Sequence, residues 1–348
     1  MGKLEVGVGI WSMQSTKFGP RHFSYLYNEL MEDAQYCDEL QTIKTIWQTE
    51  HHFWYDGYSP ALLTVAGGIA AATKHIQIGK STMLFSQHEA LRVATQAAVV
   101  DQISGGRLQL GLGLGYRDNE FDGFNIDRRT RKARFEEGIE VLRASWADSP
   151  VNFHGKQFDI PDVSVTPKPF QPEIPIWVAA VGDAPIKRAA KLGLSIILSD
   201  ALTLDQLSEH IELYHKTADE YGVDTSKAKM GVLRRGWVAE TDDDAYQNAL
   251  KSLRFLLRDQ LGGWRYLKDE NGESVGFDTP DKLDAAAAKL VTVHERTIGR
   301  PEKVTRGLRE IAATGCDHII FGTRFDSLPR EKYLRSLELL ATEVIPNI

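Results

Sequence analysis

The most constraining feature of this sequence is a regular alternation of short apolar, β-branched runs with longer amphipathic stretches. Short runs bounded by turn residues predict buried strands, and apolar residues at three-to-four spacing predict helices. Eight strands separated by helical stretches are predicted in this way. They cover residues 4–10, 43–48, 76–84, 107–112, 175–180, 195–198, 230–238 and 318–321.

The alternation of strands and helices indicates a parallel sheet. Eight such units within 348 residues favour a closed (β/α)8 TIM barrel, with an open doubly wound sheet as the alternative. No linker or shift in composition divides the chain, so we predict one domain over residues 1–348. Residues 151–171 interrupt the alternation with a hairpin-like excursion, and the polar stretch 262–281 predicts a mobile loop or lid.

The composition excludes several classes of function. Hydrophobic residues make up 42% and charged residues 26%, and the net charge is −7, which predicts a soluble protein that binds neither nucleic acid nor membranes. No apolar run approaches the ~20 residues that a membrane span needs, and no signal peptide is recognisable, so we expect a cytoplasmic protein. The two cysteines, Cys37 and Cys316, are too isolated for a disulfide framework or a cysteine-built zinc site.

Titratable side chains follow the second predicted strand in the order Glu50-His51-His52-Phe53. Barrel enzymes place their active sites at the carboxyl ends of the strands, and imidazole is well suited to proton transfer near neutral pH. By itself the stretch is equally consistent with a catalytic site and with two surface histidines. Adjacent histidines point in divergent directions, and no HExxH spacing is present, so no metal site is predicted.

Two glycine-containing turns are further candidates for ligand contact. The glycines of Gly111-Leu112-Gly113-Leu114-Gly115 do not have the dinucleotide-binding spacing. They would let a flat ring approach the backbone, although a purely structural turn explains them nearly as well. Gly182 and Asp183 form a strand-to-helix turn whose N–H groups suit a phosphate, with Asp183 as the expected N-cap.

The segment Glu50-His51-His52-Phe53 resembles the signature of the bacterial luciferase-like flavin-dependent monooxygenases. The resemblance continues in order along nearly the whole chain and therefore implies the fold as well as the family. The other matching segments are residues 78–82, 91–92, 101–108, 111–113, 119–121, 175–180 and 299–302.

The resemblance implies a (β/α)8 barrel with an insertion near the seventh strand. It also implies a dimer formed through the helices that follow the second and third strands, here a homodimer. Reduced FMN would come from a separate flavin reductase, O2 would be the cosubstrate, and a C4a-peroxyflavin would be the intermediate. We therefore predict a flavin-dependent monooxygenase that oxygenates a small, largely apolar organic substrate.

The resemblance also assigns catalytic and ring-binding roles to individual residues. His51 would be the acid/base, and Glu50 would lie near the flavin and orient it. Ser81 and Thr82 match a site at the isoalloxazine face, where the family often has a non-proline cis peptide. Gly113 and the residue after it replace a Cys-Arg pair of luciferase, so a reactive cysteine and a phosphate-binding arginine are missing.

For the phosphate, Gly182 and Asp183 would offer backbone N–H groups. A helix arginine that helps to bind phosphate in luciferase falls near Arg131, with Lys132 and Arg134 as alternatives in register. The substrate pocket is predicted to involve Tyr116 and the loop 262–281, together with Trp11, Met13, Phe53 and Trp54.

Two alternative functions share these features. Deazaflavin (F420) enzymes use the same barrel for hydride transfer without oxygen. A non-catalytic flavin-binding subunit, like the partner chain of luciferase, is the other alternative, although such a chain need not retain Glu50-His51-His52.

Overall fold

Eight parallel strands close into a barrel, which confirms the predicted fold. The computed structural model describes residues 4–9, 21–54, 56–258, 279–322 and 328–348. The predicted loop 262–281 and the pocket residues Trp11 and Met13 therefore lie wholly or largely outside the described residues. The prediction that residues 1–348 form one domain stays a prediction.

The strands in chain order are β1 Glu5–Gly9, β2 Thr45–Gln48, β3 Gln77–Lys80, β4 Leu108–Leu112, β5 Val151–His154, β6 Asp159–Val163, β7 Ile176–Ala180, β8 Ser195–Leu198, β9 Met230–Arg235, β10 Trp237–Val238, β11 Ile298–Gly299 and β12 His318–Gly322. The barrel order is β1-β2-β3-β4-β7-β8-β9-β12, and β12 pairs with β1 to close it. All the pairs between neighbouring barrel strands are parallel, as the alternation predicted.

The helices in chain order are α1 Phe23–Leu40, α2 Leu62–Ala72, α3 Ala90–Ser104, α4 Asp118–Gly123, α5 Arg131–Trp146, α6 Asp183–Lys191, α7 Leu204–Glu220, α8 Asp242–Phe255, α9 Pro280–Val293, α10 Pro301–Ala313 and α11 Arg330–Leu339. Local chemistry explains several of their starts. Thr203 and Gln206 form a capping box before α7, and Thr279 caps α9 ahead of Pro280. In the described part of the chain, none of the helices is long and apolar enough to cross a membrane.

Two excursions leave the barrel. The antiparallel pair β5–β6 follows α5, as the hairpin-like sequence predicted. After β9, the seventh barrel strand, the chain adds β10, α8, α9 and β11 before α10 and β12. This confirms the insertion near the seventh strand.

The seventh strand itself is shorter than predicted, because the chain leaves the barrel at Gly236. A Cβ at Gly236 would lie 2.2 Å from the Phe321 ring, so the backbone there passes directly against that side chain. The Gly236 N–H still donates to Gly322 O at 2.9 Å. The chain then forms β10, which pairs with β11 outside the barrel. Arg235 consequently ends the barrel strand instead of lying in its middle.

Aromatic side chains fill the barrel interior. The rings of Trp47 and Trp177 meet edge to face at 5.3 Å, and Trp47 Nε1 donates to His318 Nε2 at 3.0 Å. Trp177 Nε1 donates to Gln109 Oε1 at 2.8 Å, so both indole N–H groups are satisfied. A Cβ at Gly79 would lie 2.4 Å from Trp47, which explains why this position is glycine. A filled interior leaves the strand ends as the place for a ligand.

We predict that Gly111→Ala strongly destabilises the protein. A Cβ at this position in β4 would lie 1.7 Å from the backbone oxygen of Lys80 in β3, and backbone cannot move aside cheaply. The expected loss is at least about 3 kcal/mol of unfolding free energy, measured by chemical denaturation. Gly67→Ala in α2 is the matched control, since its Cβ would meet no atom within 4 Å. Equal stabilities of the two variants would contradict the prediction.

Candidate active site

A cavity of about 460 Å³ opens at the C-terminal end of the barrel, where the strand ends and the helices α8 and α9 meet. Its apolar wall includes Ile197, Leu198, Leu233, Leu253, Leu256 and Leu290. Its polar lining residues are Ser81, Thr82, Tyr116, Ser199, Asp200, Arg235 and His294. A larger cavity of about 800 Å³ lies at the opposite end, beside Glu5, Lys44 and Lys229, away from the strand ends. We therefore place the candidate site in the C-terminal cavity.

Ser81 and Thr82 both line this cavity, and their contact with a flavin stays a prediction. The peptide bond between them is cis, as the resemblance implied. Gly113 lies directly beside Thr82, because a Cβ at Gly113 would be 2.9 Å from Thr82 Oγ1. Gly113, which follows β4, therefore allows the segment after β3 to approach closely. This is consistent both with close approach of a flat ring and with a purely structural turn.

His51 is held by a carboxylate that the sequence did not identify as its partner. His51 Nδ1 and Glu120 Oε1 are 2.9 Å apart, and the same oxygen accepts from the His52 N–H at 3.0 Å and from Arg117 at 3.1 Å. Burial alone would raise the pKa of the Glu120 carboxyl, but the hydrogen bond and charge of His51, together with these other donors, lower it. An ionised carboxylate only accepts, so Nδ1 of His51 carries the proton.

The other ring nitrogen of His51 faces Tyr116. Tyr116 Oη lies 3.4 Å from His51 Nε2, and the two rings meet edge to face at 5.6 Å. Tyr58 packs on the same imidazole at 5.2 Å, and burial raises the pKa of Tyr58. Tyr116 lines the cavity whereas His51 is only 8% exposed and lies behind it. Two successive contacts thus connect Glu120 through His51 to Tyr116, which lines the cavity.

Glu50 is buried and is hydrogen-bonded to two histidines and a backbone N–H. Its Oε1 accepts from His52 Nε2 and from His88 Nε2, both at 3.0 Å, and its Oε2 accepts from the Leu84 N–H at 2.6 Å. Glu50 is 1% exposed, and it is not among the described residues that line the cavity. Its carboxylate holds the loop behind Thr82, and the expectation that it lies near the flavin and orients it stays a prediction.

The charges around Glu50 stabilise it as a carboxylate. Burial would raise the pKa of Glu50, but the charges and hydrogen bonds of His88 and His52 lower it to about 2. Burial would lower the pKa of His88, but the negative charge of Glu50 and its hydrogen bond to His88 outweigh burial. The pKa of His88 is therefore raised. The ligand atoms of the three residues lie within 4.8 Å of one another, a spacing that could hold a metal ion. The three groups already satisfy one another by hydrogen bonds, which accounts for their arrangement without an ion.

A buried lysine stands next to this cluster. Lys80 ends β3 and is fully buried, and its Nζ donates to Gln48 Oε1 at 2.9 Å. Burial lowers the pKa of Lys80 to about 7, although the nearby Glu50 charge opposes the shift. The sequence reading missed Lys80, since a lysine at a strand end normally reaches solvent.

The predicted phosphate-binding turn is present at the start of α6. Gly182 has φ +80° and is the N-cap of the helix, so the expectation that Asp183 is the N-cap is wrong. Asp183 is the first helical residue, and its exposed carboxylate points toward Lys187 at 3.8 Å. Gly182 takes the cap because the turn needs a left-handed backbone, which glycine adopts without strain.

The three basic residues in the first turns of α5 differ in their surroundings. Arg134 donates to Ser86 O at 2.8 Å and to His88 O at 3.0 Å, so its guanidinium group is occupied by backbone carbonyls. Lys132 is exposed and lies 3.9 Å from Glu136. Arg131 begins the helix and is partly buried, and it does not line the cavity in the described part of the protein.

Phe53 does not form the pocket wall that the sequence predicted. It is 55% exposed, has φ +54°, and packs against Phe124 with ring centroids 5.0 Å apart. The cavity instead receives Arg235, Asp200 and His294, none of which was singled out from the sequence. A correct end for the seventh strand would have identified Arg235, because residues at strand ends face the site.

The fold is a (β/α)8 barrel in which a buried His51–Glu120 pair lies beside a cavity at the C-terminal end. This arrangement is typical of a barrel enzyme. The family model for luciferase-like monooxygenase matches residues 12–318. The chain therefore belongs to the luciferase-like monooxygenase family and is an oxidoreductase. This confirms the family and the enzyme class expected from the sequence.

Individual relatives agree with this assignment. The chain is 26% identical over 329 residues to the oxygenase component of the flavin-dependent trigonelline monooxygenase of Acinetobacter baylyi, covering 92% of this chain and 89% of the relative. Among solved structures, the oxygenating constituent of 3,6-diketocamphane monooxygenase of Pseudomonas putida, in complex with FMN, has a TM-score of 0.80 at 20% identity. An F420-dependent secondary alcohol dehydrogenase has a TM-score of 0.74 at 21% identity. Both structures are covered over 99% of either chain, and they show the fold.

We predict that Glu50 makes stability depend on acid pH. Its folded pKa of about 2 lies below the reference value of 4.5, so its contribution is complete above pH 4.5 and is lost as the pH falls through 2. The free energy of unfolding should therefore decrease by about 3 kcal/mol over this range through Glu50 alone. Denaturant unfolding of Glu50→Gln should lack this part, whereas Glu39→Gln, at an exposed position, should keep it. Parallel pH profiles for the wild type and Glu50→Gln would refute the assignment.

Proposed function

We propose that this chain is the oxygenase component of a flavin-dependent monooxygenase that uses reduced FMN and O2 on a small, largely apolar substrate. The single observation that carries the proposal is the contact Glu120–His51–Tyr116, which leads to the cavity beside Ser81 and Thr82. The trigonelline relative is named as an oxygenase component, which supports a separate flavin reductase as the partner. The diketocamphane structure contains FMN, which supports FMN as the cofactor.

The residues present suit an FMN molecule. Ser81 and Thr82 offer a polar edge of the cavity for the isoalloxazine ring, and Gly113 allows close approach there. A Cβ at Gly182 would meet no atom within 4 Å, so a phosphate can approach the N-terminus of α6 and the Asp183 N–H. We assign Arg131 as an additional phosphate contact because Arg134 is occupied by carbonyl groups. Reduced FMN would supply two electrons to O2, so that one oxygen atom is transferred to the substrate and the other, with two protons, leaves as water.

The chain's own residues would control the proton and the water. Glu120 holds the Nδ1 proton of His51 in place, so Nε2 is the nitrogen that exchanges a proton with Tyr116 Oη. Tyr116 would present that proton to groups in the cavity. Leu253 of α8 and Leu290 of α9 line the cavity and would help to exclude water, which would limit loss of oxygen as peroxide. Glu50 acts as a positioning residue through His52 and His88.

Steady-state kinetics can test the proposed proton exchange between His51 and Tyr116. Tyr116→Phe and His51→Gln should each lower product formation about a hundredfold while raising peroxide release, since a positioned acid/base contributes roughly 10²–10⁴. The double variant should be little worse than either single variant, because both residues act on one proton. Oxygenated product from a panel of small ketones and aldehydes is measured by mass spectrometry, and peroxide by a coupled assay.

The exposed His75 supplies the control, and His75→Gln should behave as the wild type. Unchanged product formation by His51→Gln would remove His51 from the chemistry. Absence of product and of bound-FMN reoxidation in the wild type would favour the non-catalytic subunit instead.

The F420-dependent neighbour shares only the fold with this chain, so binding measurements are needed to test the F420 alternative. We expect the protein to bind reduced FMN and to accelerate its reoxidation by O2, and to bind F420 at least about tenfold more weakly, a difference of about 1.4 kcal/mol. Fluorescence titration and stopped-flow absorbance measure both quantities. Tight F420 binding without oxidation of reduced FMN would overturn the monooxygenase proposal.

We also propose a homodimer through α2 and α3, the helices that follow the second and third barrel strands. Val99 and Ile103 are exposed on α3, and an apolar groove runs between Leu63 and Val100. Exposed apolar side chains on neighbouring helices are typical of a subunit interface.

A further inference from the structure

His294 is a buried imidazole with one ring nitrogen that no described residue binds. It follows α9 and is 2% exposed, and its Nδ1 has no hydrogen-bond partner among the described residues. Its backbone is fixed, because its N–H donates to Leu290 O at 3.1 Å and its carbonyl accepts from the Thr297 N–H at 2.9 Å. A buried polar atom without a partner is costly, so this nitrogen points to a ligand that completes it.

The imidazole stands where a ligand in the candidate active site can reach it. His294 lines the cavity at the barrel mouth together with Arg235 and Asp200. It also lines a neighbouring cavity of about 420 Å³, which Arg234 and Arg296 border. The side chain therefore separates two spaces, and one of them is the proposed substrate site.

The charges around His294 favour an acidic ligand group. Arg235 Nε donates to Asp200 Oδ2 at 3.1 Å, and Arg234 donates to the backbone carbonyls of Asp200 and Leu202, each at 2.5 Å. Burial lowers the pKa of His294 to about 4. The negative charge of Asp200 opposes this shift, and the positive charges of the two arginines add to it. His294 is therefore a neutral imidazole that can donate one N–H. Among the described residues whose charges act on it, the guanidinium groups of Arg234 and Arg235 outnumber the one carboxylate, that of Asp200.

The remainder of the cavity is apolar. Leu233, Leu253, Leu256 and Leu290 form the wall near these polar groups. A ligand that suits both parts has an apolar body and one monoanionic end. We propose that His294 and Arg235 bind a carboxylate of the substrate, whose apolar body lies against these leucines. The inference rests on the proposed function, and it refines the largely apolar substrate to an apolar carboxylic acid.

The test uses benzoate and benzamide as probes, because they share a ring and differ in charge. Isothermal titration of the flavin-free protein at pH 7 should show benzoate binding about tenfold more tightly than benzamide. His294→Phe, which keeps an aromatic ring without an N–H, should weaken benzoate binding about tenfold and leave benzamide unchanged. Arg235→Met should have a similar effect, whereas His75→Phe at an exposed position should have none.

The wild type alone also tests the inference if a variant does not fold. Nitrogen-15 NMR of the histidine rings should show a shift of the His294 signals on addition of benzoate but not of benzamide. Equal affinity for the two probes, or benzoate binding that survives His294→Phe unchanged, would overturn the subsite.

Failure of this subsite and failure of the proposed function give different results, because binding is measured without turnover. Selective benzoate binding that depends on His294, in a protein that does not oxidise reduced FMN, would keep the subsite and remove the monooxygenase. Oxygenation of neutral ketones by a protein without benzoate preference would keep the monooxygenase and remove the subsite.

Discussion

Two buried carboxylates hold two adjacent histidines on opposite sides of one loop, and the candidate site depends on this arrangement. Glu120 is hydrogen-bonded to the His51 ring beside the cavity, whereas Glu50 is hydrogen-bonded to the His52 ring. Each carboxylate also binds a backbone N–H, that of His52 for Glu120 and that of Leu84 for Glu50. The loop is therefore tied to the segments after both β3 and β4. Unpaired charges would be expensive at this depth, so the network is strong only as a complete set.

The candidate site lies between the C-terminal end of the barrel and the inserted helices. Trp47, Trp177 and His318 fill the interior, so the space for a ligand lies above them at the strand ends. The insertion after the seventh strand contributes α8 and α9, which supply Leu253 and Leu290 to the wall, and His294 follows α9. In the proposed mechanism the barrel would supply the proton-transfer residues, and the insertion would supply part of the surface that selects a substrate. This division is consistent with one fold serving different chemistry by variation of its connecting segments.

The sequence predicted most of the architecture because strand and helix periodicities are local signals. All eight barrel strands, the β5–β6 hairpin and the added elements after the seventh strand are present. The errors arose where a contact between distant residues controls the local structure. Gly236 leaves the barrel because Phe321, 85 positions away, fills the space beside it, so Arg235 was misplaced. Phe53 turns outward to Phe124, and Gly182 replaces Asp183 as the cap, for reasons of packing and backbone geometry that a single sequence does not display.

The sequence by itself determined the fold class, the family, and the loop where chemistry was to be sought, because motifs and periodicity are written in neighbouring residues. It also favoured His51 over His52 as the residue for proton transfer. Only the tertiary structure decided how the carboxylates are shared, since Glu120 is 69 residues from His51 and His88 is 38 from Glu50. Only the tertiary structure, too, brought Arg235 and His294 to one cavity. Hydrogen bonding and burial depend on distance in space, and separation along the chain does not reveal it.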